Sequence, residues 1–229
     1  MNAFLEQTQG KLIVSCQALE DEPLHSSFIM ARMARAASQA NAAGIRANSI
    51  VDIQAIQDEV SLPIIGIIKC DYDDSPVYIT PTMKEMRAVA ATGVAVVATD
   101  CTNRPHPQGT DLGAMVKKCH VEFPETLVMA DTGSIEDVRA ANELGFDLIG
   151  TTMHGYTPET TGLNIADNDF EYLKEVLKVA NVPVICEGKI DSPAKARRVI
   201  DLGAHAVVVG GAITRPQQIT KRFTDALEG

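Results

Sequence analysis

The chain has 229 residues, 45% hydrophobic and 22% charged, proportions that fit one globular domain over residues 1–229 with a single sizeable core. Thirty acidic residues against twenty Lys and Arg give a formal net charge of -10, which argues against a broad footprint on nucleic acid and leaves only a local positive pocket open. There is no apolar stretch near the roughly 20 residues that cross a bilayer, no basic, apolar leader with a cleavage site, and no CxxC pair among the cysteines; the expectation is a cytoplasmic protein without membrane contact or a disulfide scaffold.

Eight short apolar runs follow in chain order, each with a helical stretch behind it. KLIVSCQ precedes SFIMARMARAASQAN, GIRANS precedes VDIQAIQDEV, PIIGIIK precedes TMKEMRAVAAT, and VAVVATD precedes DLGAMVKKCHVEF. TLVMAD, DLIGTTM, PVICEG and AVVVGGAI are followed by SIEDVRAANELG, NDFEYLKEVLKVA, SPAKARRVIDLG and RPQQITKRFTDALE. Most runs are too densely apolar for a strand with one wet face, which predicts parallel strands covered by helices. Ser134 with Asp137 reads as a helix cap, Ser192-Pro193 as a helix start, and Gly93, Gly145 and Gly203 as helix stops. Eight such units predict a (β/α)8 TIM barrel. A doubly wound open sheet is the rival, but it has fewer strands as a rule, and GxGxxG after the first run is absent.

In a barrel, function belongs at the C-terminal strand ends. Alternation puts Ile65, Ile67 and Lys69 on one side of strand three, and Ile185 and Glu187 on one side of strand seven. Those strands are four apart in a ring of eight, so the two groups flank whatever sits in the mouth. A desolvated lysine serves as a base and a shielded carboxyl as an acid, the couple needed to take a proton from one face of a carbon and return one to the other. A structural Lys69–Glu187 ion pair and a Schiff-base lysine remain alternatives. Arg46 and Asn48 share a side of strand two, and Arg46 suits a carboxylate, a sugar oxygen or a rim carboxylate. Asp131, ending TLVMAD, reads as an inward group that binds a hydroxyl or orients the lysine, although Asp131-Thr132-Gly133-Ser134 also fits a loop and helix cap; Gln17 reads as a neutral donor and acceptor at the rim, or as a turn residue. Gly188, Gly210 and Gly211 allow close backbone approach to a phosphate, with Arg215 as an adjacent cation. His25, His106, His120, His154 and His205 do not converge, so no metal is expected. The link DYDDSPVYITPT is a lid candidate carrying Tyr78, and CTNRPHPQGT either supports it or meets a second subunit.

SCQA (15–18), GIRANS (44–49), PIIGIIK (63–69), DCTNRP (100–105), LVMAD (127–131), GTTMHGYT (150–157), VICEGKI (184–190) and VVVGGAITRP (207–216) together closely resemble the N-acetylmannosamine-6-phosphate 2-epimerase family over nearly the whole chain. The resemblance implies a phosphate-binding (β/α)8 barrel and a small amino-sugar phosphate as substrate, with no cofactor. It implies interconversion of N-acetylmannosamine 6-phosphate and N-acetylglucosamine 6-phosphate, and a homodimer. Lys69 and Glu187 match its catalytic lysine and glutamate. Gln17, Arg46 and Asp131 match sugar and active-site contacts, and Tyr78 a looser one. Arg215 with Gly188, Gly210 and Gly211 matches its phosphate-binding apparatus. His154 stands where many members carry a small hydroxyl residue, and Lys189 where arginine is frequent. A sugar-phosphate aldolase or decarboxylase, or a non-enzymatic phosphosugar-binding barrel, are the competing functions.

Overall fold

The computed structural model describes residues 2–228. Eight parallel strands close into one barrel in chain order: β1 Leu12–Cys16, β2 Gly44–Asn48, β3 Ile64–Ile67, β4 Val96–Asp100, β5 Leu127–Asp131, β6 Leu148–Gly150, β7 Val184–Cys186 and β8 Ala206–Val209. Closure is made by β8 against β1, where Ile13 pairs with Val208 and Val14 with Val209. All eight runs of the sequence therefore become strands, and the open-sheet rival falls.

The helices are α1 Ala3–Thr8, α2 Ser27–Gln39, α3 Ile50–Glu59, α4 Met83–Ala90, α5 Leu112–Glu122, α6 Ile135–Leu144, α7 Asp167–Val179, α8 Pro193–Asp201, α9 Gly211–Thr214 and α10 Pro216–Glu228. Ser134 caps α6 in a reciprocal box with Asp137, and Gly145 ends it in a left-handed conformation. Ser192 caps α8 with Pro193 in its first turn. Two elements were not anticipated. Helix α1 closes the N-terminal mouth by placing Phe4 in the inner core, and α9 turns the chain immediately after β8.

Alternation divides the core into two shells. Ile13, Ile65, Ile67, Val96, Met129, Leu148, Ile185 and Val208 fill the barrel, while Val14, Ile45, Val97, Val128 and Val207 face the helices. Because both sides of each strand are covered, no strand needs a polar face until its C-terminal end. Helix α10 departs from this pattern. It has no buried residue, with Phe223 70% and Leu227 87% exposed, and an apolar groove of about 230 Å3 lies open beside β1 and α2, lined by Leu12, Val14, Met33, Ala37 and Ile213. No described helix is long and apolar enough to cross a membrane.

Candidate active site

The C-terminal mouth opens into a cavity of about 720 Å3 whose wall includes Gln17, Arg46, Lys69, Tyr78, Glu187 and Arg215, with Gly188, Gly210 and Gly211. Of the ten residues singled out in the sequence, nine line it. Asp131 is fully buried beneath the wall.

Arg46 is the hub. It leaves β2 on the inward side and is 1% exposed. Its Nη1 donates to Asp131 Oδ1 at 3.1 Å and to Glu187 Oε2 at 2.8 Å, and its Nη2 donates to Asp131 Oδ2. Thr152 Oγ1 donates to Asp131 at 2.6 Å and lies 3.3 Å from Glu187 Oε2. Burial works against the guanidinium charge, but Asp131 and Glu187 outweigh it and hold its pKa above the usual arginine value. Asp131 therefore orients the arginine, a different task from the hydroxyl or lysine contact expected of it. Two carboxylates on one cation also leave the buried group net negative, which restrains ionisation of whichever carboxyl is easier to protonate.

Glu187 is that carboxyl. Burial pushes its pKa up, Arg46 opposes the shift, and Asp131 adds to it. Thr151 fixes the backbone beneath it, accepting from Glu187 N at 2.9 Å and donating to Glu187 O at 2.7 Å. Lys69 stands two residues beyond β3, on the ring's opposite side from β7. Its backbone N donates to Asn48 Oδ1 at 2.8 Å, so β2 also sets the start of this extension. Burial lowers the Lys69 pKa, Arg46 and Arg215 lower it further, and Glu187 and Glu22 partly oppose them. Among the described residues Lys69 makes no ion pair, and Glu187 is taken by Arg46. The structural Lys69–Glu187 bridge is therefore not formed.

Gln17 donates through Nε2 to Ser15 Oγ at 2.9 Å and leaves Oε1 buried without a partner; Arg46 Nε is also buried and unpartnered. Orphaned polar atoms on a cavity wall are sites where a ligand or water completes the hydrogen bonding.

The segment that carries Tyr78 is not a free lid. Lys69 and Ile79 form an antiparallel bridge, Thr80 N donates to Ile68 O at 2.7 Å, and Val77, Ile79 and Thr80 are buried. The second long link holds its far side: Ser75 Oγ donates to Pro105 O at 2.7 Å, Arg104 Nη1 to Pro76 O at 3.1 Å, and Gln108 N to Asp74 Oδ2 at 2.8 Å. Buried Asp100 in turn fixes Arg104. This anchoring replaces the lid expectation with a fixed ribbon that presents Tyr78, and gives the second link its supporting role.

At the other rim, Gly188 has φ 108°, a conformation that favours glycine, directly after the catalytic candidate Glu187. Lys189 donates to Leu163 O at 2.6 Å and lies over the Tyr156 ring, 5.4 Å from its centre. Arg215 is held by Glu22, a residue the sequence pattern had not singled out. His154 lies outside the cavity: its Nδ1 donates to Gly133 O at 2.9 Å, its ring stacks on Tyr172 at 3.7 Å, and burial keeps its pKa low. No group of three or more His, Cys, Asp or Glu among the described residues is placed to hold a metal.

A family model described as NanE, Putative N-acetylmannosamine-6-phosphate epimerase, matches residues 30–229. The chain belongs to that family. It is 68% identical over 226 residues to the Putative N-acetylmannosamine-6-phosphate 2-epimerase of Lactiplantibacillus plantarum, with 99% of each chain covered. A protein of the same name from Latilactobacillus sakei is 64% identical over 226 residues, covering 99% of this chain and 98% of that one. The solved structure of the N-acetylmannosamine-6-phosphate 2-epimerase from Clostridium perfringens matches with a TM-score of 0.92 at 51% identity, covering 97% of this chain and 95% of its own. The barrel and its family are thus supported independently of the site geometry.

Proposed function

We propose that this epimerase-family chain interconverts N-acetylmannosamine 6-phosphate and N-acetylglucosamine 6-phosphate, with Lys69 and Glu187 moving the C2 protons. The C2 hydrogen becomes acidic once C1 is a free aldehyde. Lys69, as the neutral amine, removes it to give an enolate and becomes an ammonium; Glu187, as the carboxylic acid, protonates the opposite face and becomes a carboxylate. The roles exchange in the reverse direction, and no electrons are gained or lost. The carrying observation is that two groups from opposite strands line one cavity, with the lysine pKa lowered and the glutamate pKa raised.

Arg46 lies beside the reacting region as a buried cation and favours negative charge developing on the enolate oxygen. Asp131 and Thr152 keep it in place. Gln17 and Tyr78 contact the sugar, while Gly188, Gly210, Gly211 and Arg215 take the 6-phosphate, so that binding at C6 fixes C2 between the couple. A sugar phosphate does not cross a bilayer unaided, which supports a cytoplasmic site of action. The uncovered apolar residues of α10 and the open groove beside β1 support a homodimer in which a second copy covers them.

Replacing either member of the couple tests the assignment. Lys69→Ala and Glu187→Gln are each expected to lower kcat by about 10²–10⁴-fold while the folded proteins still bind the sugar phosphate. Turnover at the wild-type rate in either variant contradicts the couple.

A further inference from the structure

We infer that Glu22, in the loop between β1 and α2, is a positioning residue for phosphate binding that acts through Arg215; this rests on the reading of Arg215 as a phosphate contact. Arg215 Nε donates to Glu22 Oε1 at 2.5 Å and its Nη2 donates to Oε2 at 3.0 Å. This is a side-on, two-point pair, which fixes the guanidinium plane as a single hydrogen bond cannot. It occupies the Nε edge and leaves Nη1 without a partner among the described residues. Both side chains line the same cavity as Gly188, Gly210 and Gly211.

Glu22 is itself held in place. Leu19 N donates to its Oε2 at 2.8 Å, and its side chain is 15% exposed against 24% for Arg215. With three donors on the carboxylate, Arg215 holds the Glu22 pKa below the usual glutamate value, although burial opposes the shift. An anion beside a phosphate site repels the ligand unless its charge is already matched, and here it is matched by the same arginine that meets the phosphate. The loop thereby aims a flexible side chain that begins at the junction of α9 and α10, where the backbone alone does not set its direction.

The test is a comparison of KM and kcat for Glu22→Ala, Glu22→Gln, Arg215→Ala and Glu22→Ala/Arg215→Ala, with N-acetylmannosamine 6-phosphate and with unphosphorylated N-acetylmannosamine. Glutamine keeps the size of Glu22 but has one acceptor oxygen, and cannot serve both Nε and Nη2. Both Glu22 variants are expected to raise KM for the phosphorylated sugar about tenfold with kcat within about twofold of wild type. The loss of kcat/KM is expected to be larger for the phosphorylated than for the unphosphorylated sugar, and the double variant is expected to match Arg215→Ala alone. Such non-additivity is the signature of one residue acting through another. An unchanged KM in both Glu22 variants, with Arg215→Ala impaired, overturns the positioning role alone. A lowered KM means that Glu22 competes with the phosphate and also overturns it. Wild-type KM in Arg215→Ala overturns the phosphate reading beneath it.

Discussion

At Arg46 the chain buries a cation that it then satisfies with two carboxylates from other strands. Alternation in GIRANS is enough to aim this side chain into the barrel, but its partners stand 85 and 141 residues further on, and nothing local in the sequence says which carboxylate it will hold. Lys69 and Glu187 were legible because each ends a dense apolar run, on strands that face each other across the barrel mouth. Glu22 was not legible: it lies in a loop, where neither strand alternation nor helical spacing fixes the direction of a side chain. The Lys69 ammonium carries a stability cost with a definite sign. Because its folded pKa lies below the ordinary 10.5, the folded state binds the proton more weakly than the unfolded chain does. The cost is full below the folded pKa and disappears as pH rises through 10.5. Lys69→Met is therefore expected to raise Tm at pH 7 while abolishing turnover, and thermal melts between pH 7 and 10.5 should show the gap from wild type closing. A variant that melts lower than wild type at pH 7 contradicts this.

The strand and helix units were nearly all written in the sequence, since apolar runs buried on both faces and capped helices leave local signatures. Two short elements were hidden for physical reasons. Helix α1 has six residues, too few for a periodic pattern, and is stabilised through Phe4 in the inner core. Helix α9 lies inside the continuous apolar stretch AVVVGGAIT, where period alone does not separate strand from helix. The ribbon behind Lys69 looked like a lid because it is a long link carrying Tyr78; the anchors of its far side lie in a different loop, so no local signal reveals that it is pinned there. Packing between elements also sets where side chains are forbidden. A Cβ on Gly66 of β3 would lie 2.6 Å from Val89 Cγ1 of α4 and 3.1 Å from Ile53 Cδ1 of α3. Val89 is branched at Cβ and buried, so α4 must move for an extra methyl to fit. Gly66→Ala is expected to destabilise the fold by about 1–3 kcal/mol, read as a lower denaturation midpoint. An unchanged midpoint contradicts the close packing of α4 on β3.

For the whole molecule, the barrel brings opposite strands to one mouth, and the assembly question falls on α10. The apolar residues of this helix were visible in the sequence, but helix periodicity does not say whether its apolar side meets its own barrel or another chain. With Phe223 exposed and the groove beside β1 uncovered, Phe223→Glu is expected to shift the protein from dimer to monomer in sedimentation velocity. A wild-type monomer, or a variant that remains as dimeric as wild type, contradicts the proposed interface. The proposed couple requires Lys69 and Glu187 to address opposite faces of one carbon. Proton NMR of N-acetylmannosamine 6-phosphate with the protein in deuterated water tests it most directly. The expected result is N-acetylglucosamine 6-phosphate that carries deuterium at C2 from the first turnovers, while the remaining substrate keeps its C2 proton. Product that retains the substrate's own C2 proton, or no product from folded protein, would contradict it.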